Sequence, residues 1–462
     1  MPLEAPEVRV RRVELRVAAC PTTEAVRFGA DELRSVPVLT ARVSAEIDGE
    51  PVDGYAAEPL LATWYESPGT GSSEELLAAL AASARDAGWA FEGAGQGTLF
   101  ELWVRARAEH VERDGKGLVQ GFGIALVERA AMDAVCRARG FAFLNALRWN
   151  LLGFQPDLLA PELEGWNVST SVQAVPPKRA RARQTIRIDD ALTSGPSSLT
   201  ALIARYGVDA FEVELTGSPE EDLARLAELA PVLEEACYGT YDLTLHGNES
   251  FSSTEPLEEL LAKLPPALLE RVRYVVEPFP RAEAFEHEVR PLARPCLVDA
   301  ADDRLEALPR ALAHGYAGTT LRGAKGLSRA LFALGHTGQV EGGLLDARDP
   351  VALPVLALHQ YLALATALGV EHLGIDTHRW FDGLEHLPGA EQEVALGAHP
   401  DLYVRDGART TLRVVNGVVP LGSLRCEGFG TAHPVGFAAG TLLADWTPQT
   451  GSAGDPAPDG VA

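Results

Sequence analysis

From Val8 to about residue 60, apolar and polar positions alternate through VRVRRVELRV and VPVLTARVSAEIDGEPVDGYAAE. A period of two turns one face of each strand to a core and the other to water. Asp48-Gly49 falls between two such runs and supplies the turn chemistry of a hairpin, so this segment predicts an antiparallel sheet. The period then lengthens. In SEELLAALAASARDAG, TLFELWVRARAEHVER and GIALVERAAMDAVCRARG, apolar residues recur every three or four positions, which predicts amphipathic helices over residues 73 to 140 packed on that sheet. Residues 1–155 are therefore expected to form one α+β unit.

Beyond Pro156 and Pro161 short β-rich runs alternate with helical ones. The predicted strands are QTIRI, AFEVEL, YDLTLHG, VRYVVEPF, CLVDA, GTTLRG, a weakly written seventh within GQVEGGLL, and EHLGID. Between them lie SLTALIARYG, PEEDLARLAELAPVLEEA, PLEELLAKL, RLEALPRALAHG, KGLSRALFALG and PVALPVLALHQYLALATALG, all helical in pattern. Alternation over this many units predicts parallel strands closed into a (β/α) TIM-like barrel, here spanning residues 156–445, so the fold class is α/β. The tail 446–462, rich in Gly, Pro and Asp, is expected to be disordered.

Composition narrows the partners. Sixty-five acids against 40 Lys plus Arg give a formal charge of −25, which repels a nucleic-acid backbone. The basic run from Lys178 to Arg183 lacks interleaved aromatics and reads as a solvated edge at the start of a domain. No apolar stretch of membrane-spanning length occurs and the N-terminus lacks a signal-peptide pattern, so a cytoplasmic protein with no membrane partner is expected. Gly93 to Gly97 does not match a dinucleotide or phosphate-loop spacing and reads as a loop. The cysteines Cys20, Cys136, Cys237, Cys296 and Cys426 are scattered and form no CxxC pair, which predicts buried, inert thiols.

In a barrel of this kind the functional groups close the strands at their C-terminal ends. Those positions hold Glu212 and Glu214, His246 and Asn248, Glu277, Asp299, Arg322 and Lys325, then Asp376 and His378. Their order and spacing resemble the mandelate racemase/muconate lactonizing branch of the enolase superfamily. That branch carries Lys-x-Lys after strand two, Asp-x-Asn after strand three, Glu before Pro after strand four, Asp-Glu-Ser after strand five and Lys after strand six. The segments GIALVERAAMDAVCRARGFAFLNALRWNLLG, YDLTLHGNESF, GYAGTTLRGAKG and AHPDLYVRDG are similar to a mandelate racemase-like subgroup without a settled reaction. The resemblance covers nearly the whole chain and implies an enolase-type barrel with an N-terminal α+β capping domain, and a homo-oligomer by analogy.

It also implies a metal site. The family's divalent ion binds the substrate carboxylate and stabilises the enediolate formed when the α-proton leaves. Glu277 and Asp299 match two of its three carboxylate ligands; His246, with Asn248 beside it, stands where the first belongs. The implied cofactor is magnesium by family habit, a transition metal if His246 ligates, or none. At the two lysine positions stand Glu212 and Glu214, which inverts the local charge. Arg322 replaces the strand-six lysine with a residue type too basic to act as a general base. Lys325 remains nearby, and Asp-Glu-Ser has become Asp299-Ala300-Ala301. Glu212, Glu214, Arg322, Lys325 and His378 are the candidate catalytic groups, and an ion-pair network of Glu212 and Glu214 with Arg322 or Lys325 is the structural alternative. His336 is expected near the end of strand seven.

The expected function is an enolase-superfamily protein that has lost α-proton abstraction and keeps binding of a small carboxylate or a partner. The alternative is a repurposed or active metal-dependent isomerase or lyase.

Overall fold

The structure, a computed structural model, describes residues 4–448 apart from 29–30, 66–70, 111–116, 350, 382 and 408. Strands β1 (Val8–Phe28), β2 (Asp31–Ile47) and β3 (Glu50–Pro59) form the antiparallel meander that the alternation predicts. Asp48 and Gly49 take φ of 51° and 88°, the left-handed pair that a tight two-residue hairpin requires. Helices α1 (Ser73–Gly93) and α3 (Gly117–Arg139) cover one face of this sheet, and α2 (Leu99–His110) packs on both of them. Ser72 and Glu75 form a reciprocal capping box at the start of α1. A Cβ on Gly123 would lie 2.2 Å from the carbonyl oxygen of Ser83, so α1 and α3 approach backbone to backbone at a residue that has none. The expected end of the second helical run, residues 111–113, lies outside the described residues, as does the tail from 449 on.

Eight parallel strands follow: β4 (Arg179–Ile186), β5 (Ala210–Glu214), β6 (Asp242–His246), β7 (Val272–Val276), β8 (Cys296–Val298), β9 (Gly318–Leu321), β10 (Leu344–Arg348) and β11 (His372–Gly374). Each pairs with the next and β11 pairs with β4, so the barrel is closed. The seventh strand is LLDAR, which overlaps the expected GQVEGGLL only at Leu344 and Leu345. The glycines placed in it lie in the turn before the strand, and the residues that carry its charge follow.

Lys178 and Arg179 are exposed, but from Arg179 on the basic run is the first barrel strand, and Arg181 and Arg183 turn inward, away from the expected solvated edge. Near the N-terminal end of the barrel Arg181 bonds Asp209 at 2.8 Å, Asp242 at 2.7 Å and His372 at 2.8 Å. One layer up, Arg183 is 1% exposed and donates to both oxygens of Asp346, to the Tyr274 hydroxyl at 2.9 Å and to Glu212 at 3.2 Å. Branched apolar side chains usually fill this space; here it holds ion pairs. Cys20, Cys136 and Cys296 are buried, as expected, and Cys237 and Cys426 are only half-buried. Among the described residues no helix is long and apolar enough to cross a membrane.

The cap is fastened to the barrel by buried acids of α3. Glu128 accepts from the backbone N–H of Leu327 and of Ser328, each at 2.9 Å, and so caps the barrel helix Leu327–Gly338 from another domain. Gly326 precedes that helix with φ of 92°, and a Cβ there would come within 3.0 Å of the Glu128 carboxylate, so glycine is required twice over. Asp133 accepts from Tyr55 on β3 at 3.0 Å, from Phe429 at 2.7 Å and from Arg137 at 2.8 Å.

Glu128→Ala is expected to destabilise the protein by about 2 kcal/mol in chemical denaturation, because buried helix N–H groups lose their acceptor. Burial pushes the Glu128 carboxyl up from 4.5 to about 7, against the pull of its donors. The folded state therefore keeps a proton that the unfolded state has already released. This contribution is fully present below pH 4.5 and is lost as pH rises to about 7. Glu128→Gln, neutral throughout, should flatten that part of the stability profile, and an unchanged profile would refute the assignment.

Candidate functional site

The C-terminal strand ends converge on one mouth, and the cap reaches over it. Glu212 and Glu214 alternate on β5, with Glu212 buried on the axis and Glu214 half-buried at the strand's end. The expected pairing with Arg322 or Lys325 does not occur. Glu212 instead lies between Arg183 below and Arg348, the last residue of β10, which donates its Nε to Glu212 Oε1. Burial alone would raise the Glu212 pKa, but Arg348 and Arg183 outweigh it and hold the carboxyl at about 2. Glu214 forms no ion pair with a described residue, and burial raises its pKa.

His246 ends β6 and is buried. The Asn248 backbone N–H donates to its Nδ1 at 3.2 Å, while Nε2 is buried with no hydrogen-bond partner among the described residues. Asn248 itself is exposed. Burial, reinforced by the Arg348 charge, brings His246 down to about 4, so the ring is neutral near pH 7. Glu277 follows β7 in a left-handed conformation, φ 45°, and Asn248 and Glu249 do the same after β6, φ 50° and 62°. Such backbone strain persists where surrounding structure enforces it and clusters at functional sites.

Glu277 turns its oxygens to backbone: Oε2 accepts from the Asp299 N–H and Oε1 from Ala301 at 3.1 Å. Burial, then the neighbouring Asp299 charge, pushes Glu277 up to about 8. Asp299 is the opposite case. Burial opposes its ionisation, yet Arg322 and Lys325 hold it well below the usual carboxylate range. Arg322 donates Nε to both Asp299 oxygens at 3.0 Å and adds a bond from Nη2. The indole of Trp64, from the cap, lies 4.4 Å from the Arg322 guanidinium carbon and donates Nε1 to Asp299 at 3.3 Å. Arg281, clamped by Glu249, holds the Trp64 carbonyl at 3.2 Å. Lys325 Nζ is surrounded by the carbonyls of Asp299 and Thr320 at 2.7 and 3.0 Å and by Asp302 and Thr319 side chains, both at 3.2 Å. With every N–H engaged it is a strut, unavailable as a base.

The implied ion can be tested against these donors. Asp299 gives its oxygens to a guanidinium, Glu277 gives its oxygens to backbone N–H groups, and His246 offers one nitrogen that carries a proton. Among the described residues no group of three His, Cys, Asp or Glu is placed to hold a metal ion. As arranged, His246, Asn248, Glu277 and Asp299 do not fit a divalent cation.

Asp376 and His378 lie after β11, as expected. Asp376 accepts from the Gln184 side chain and from Thr185 N–H at 3.1 Å, with burial raising it to about 6. His378 packs edge-on against Tyr206 at 4.7 Å, and neither ring nitrogen meets a partner among the described residues. His336 is not at the end of β10; it sits on the preceding helix, 3.8 Å from Glu162. Sequence reasoning missed Arg183, Arg348, Asp346 and Trp64. The period-two spacing of RARAR was the available signal for Arg183, whereas Trp64 follows the last cap strand with no pattern to mark it.

No protein-family model and no curated protein sequence matches this chain. Solved structures do match in fold. An enolase from Bradyrhizobium, complexed with magnesium and mandelic acid, shares 14% identity over 92% of this chain and 96% of its own, with a TM-score of 0.61. A mandelate racemase/muconate lactonizing enzyme from Roseovarius nubinhibens shares 16% over 94% and 98%, TM-score 0.60. A dipeptide epimerase from Cytophaga hutchinsonii, complexed with magnesium and D-Ala-L-Val, shares 16% over 81% and 88%, TM-score 0.56. The chain thus has the enolase-type barrel and capping domain.

Arg183→Leu would leave Asp346 buried and without its cation, and such a break costs about 3–5 kcal/mol. Urea denaturation should show that loss, and Arg183→Met combined with Asp346→Leu should recover part of it. Equal losses in the single and double variants would exclude this account of the barrel axis.

Proposed function

We propose that this enolase-type barrel no longer abstracts α-protons with a metal and that its mouth binds a small ligand instead. The observation that carries the reading is the Arg322 guanidinium seated on both oxygens of Asp299 beneath Trp64. A carboxylate so engaged would have to release a buried, paired cation before it ligated anything, and a buried charge separated from its partner is strongly unfavourable. The reaction also needs a base. Glu212 is locked between two arginines, Lys325 is saturated with acceptors, and His246 is too weakly basic once buried at the mouth. Stabilising a dianionic enediolate is usually the largest catalytic contribution, worth roughly 3–4 kcal/mol for a single donor elsewhere. Here one metal ligand and both lysines are changed together.

The carboxylates crystallised with the related folds, mandelic acid and a dipeptide, suggest the ligand class. A second reading, a repurposed isomerase or lyase, draws support from the strained backbone at Asn248, Glu249 and Glu277 and from the unpaired ring nitrogen of His246.

With magnesium supplied, the protein is expected to leave the α-hydrogen of 2-hydroxy acids, dipeptides and acid sugars unexchanged in deuterium oxide, as read by mass spectrometry. Metal-dependent exchange abolished by Glu277→Ala would favour the second reading over the first.

A further inference from the structure

The mouth contains hydrogen-bond donors that the protein itself does not use. His246 Nδ1 accepts the Asn248 N–H at 3.2 Å, so in the neutral ring the proton resides on Nε2. That Nε2–H is buried and finds no acceptor among the described residues. Buried donors are nearly always paired, and an exception calls for a missing partner. Arg348 spends only its Nε, on Glu212, and its two Nη groups bond no described residue. Arg322 spends Nε and Nη2 on Asp299 and leaves Nη1. These three side chains belong to strand ends β6, β9 and β10, on different sides of one mouth. Both guanidinium groups reach the His246 ring, as do the carboxylates of Glu212 and Asp299 with which they are paired. A neutral N–H beside guanidinium N–H groups that their ion pairs leave unspent can receive an anion's oxygens, and a planar fork of donors suits a planar anion.

We infer that the mouth binds a small carboxylate without metal, its oxygens taking the His246 Nε2–H and the free Nη groups of Arg348, with Arg322 as the resident cation where related folds hold an ion. This rests on the binding reading proposed above and adds the independence from metal and the residues that grip the ligand. Trp64 covers Arg322 from the cap side and limits water there, which strengthens charge-assisted hydrogen bonds.

The test is calorimetric titration of the full chain with monocarboxylates, 2-hydroxy acids and dicarboxylates, in EDTA and again in magnesium, with inorganic phosphate as the contrasting anion. At least one carboxylate should bind with the same Kd in both media and more tightly than phosphate. Arg348→Gln should weaken it by at least about tenfold. Because that change also disturbs Glu212, His246→Phe is the sharper probe. It removes an unpaired donor and should leave thermal stability intact or improved, yet weaken binding by about tenfold. Binding that needs magnesium, binding unaffected by His246→Phe, a preference for phosphate, or no carboxylate bound at all would each overturn the inference. Deuterium exchange separates the two proposals: exchange defeats the binding-only reading, whereas absence of both exchange and carboxylate binding defeats this inference alone.

Discussion

Arg183 places a full positive charge on the axis of a barrel, where almost no water reaches it. Removing a guanidinium from water is unfavourable by several kcal/mol unless its donors are matched, and the chain matches them with Asp346, Tyr274 and Glu212. The consequence runs upward. Once Glu212 serves Arg183 it is ionised and committed, and its other oxygen draws in Arg348 from across the barrel. The first of the two strand-two positions at which the resembled family carries Lys-x-Lys is thereby part of the core's electrostatics. Exchanging Glu212 for a lysine would set three cations against each other. The chemistry of the mouth is constrained by a residue one layer beneath it.

The cap imposes a second constraint from above. The loop Gly323–Lys325 that follows Arg322 is pressed by Glu58 and Arg129, and a Cβ on Gly323 would fall 2.7 Å from Glu58 Oε2. Glu128 holds the next helix by its N-terminus, so the position of that loop is set at both of its ends by cap residues. Trp64 then closes over Arg322. Arg322 is consequently fixed by packing, ion pairing and an aromatic face together, which a merely neutralising surface arginine would not need.

Which of this was legible in the sequence follows from what local patterns encode. Alternation and three-to-four spacing describe how a segment meets a core, so the meander, the cap helices and seven of the eight strands are readable from particular runs such as VRVRRVELRV from Val8 to Val17 and AFEVEL. The seventh strand was misplaced because LLDAR puts two charges into a strand that faces a polar interior, and a rule that seeks apolar runs passes over it. The same cause hid Arg183: a basic run is ordinarily solvated, and only its partners, 29 and 163 residues away in sequence, reveal that it is not. Strand-end positions were readable through the resemblance, and their contacts were not. Glu277 and Asp299 stand where ligands would stand, yet which oxygens remain free is decided by Arg322, Ala301 and Trp64.

That decision has a direction. A divalent ion and a guanidinium both neutralise Asp299, but the ion is a Lewis acid that takes further oxygen ligands, whereas the guanidinium offers N–H groups in a fixed plane and cannot act as a Lewis acid. Replacing one by the other preserves attraction for an anion while removing the means of polarising it. On the metal-free reading proposed above, His246 in place of an acidic ligand fits the same change, since without a cation of charge two the mouth needs fewer negative groups to balance it. The remaining acids respond accordingly: Asp299 stays ionised against its arginine, and Glu277, which has only backbone donors, is pushed by burial toward its neutral form. Asp299, Glu212 and Glu277 are thus satisfied within the protein, and Glu214 is a strand-end acid that meets no ion-pair partner among the described residues.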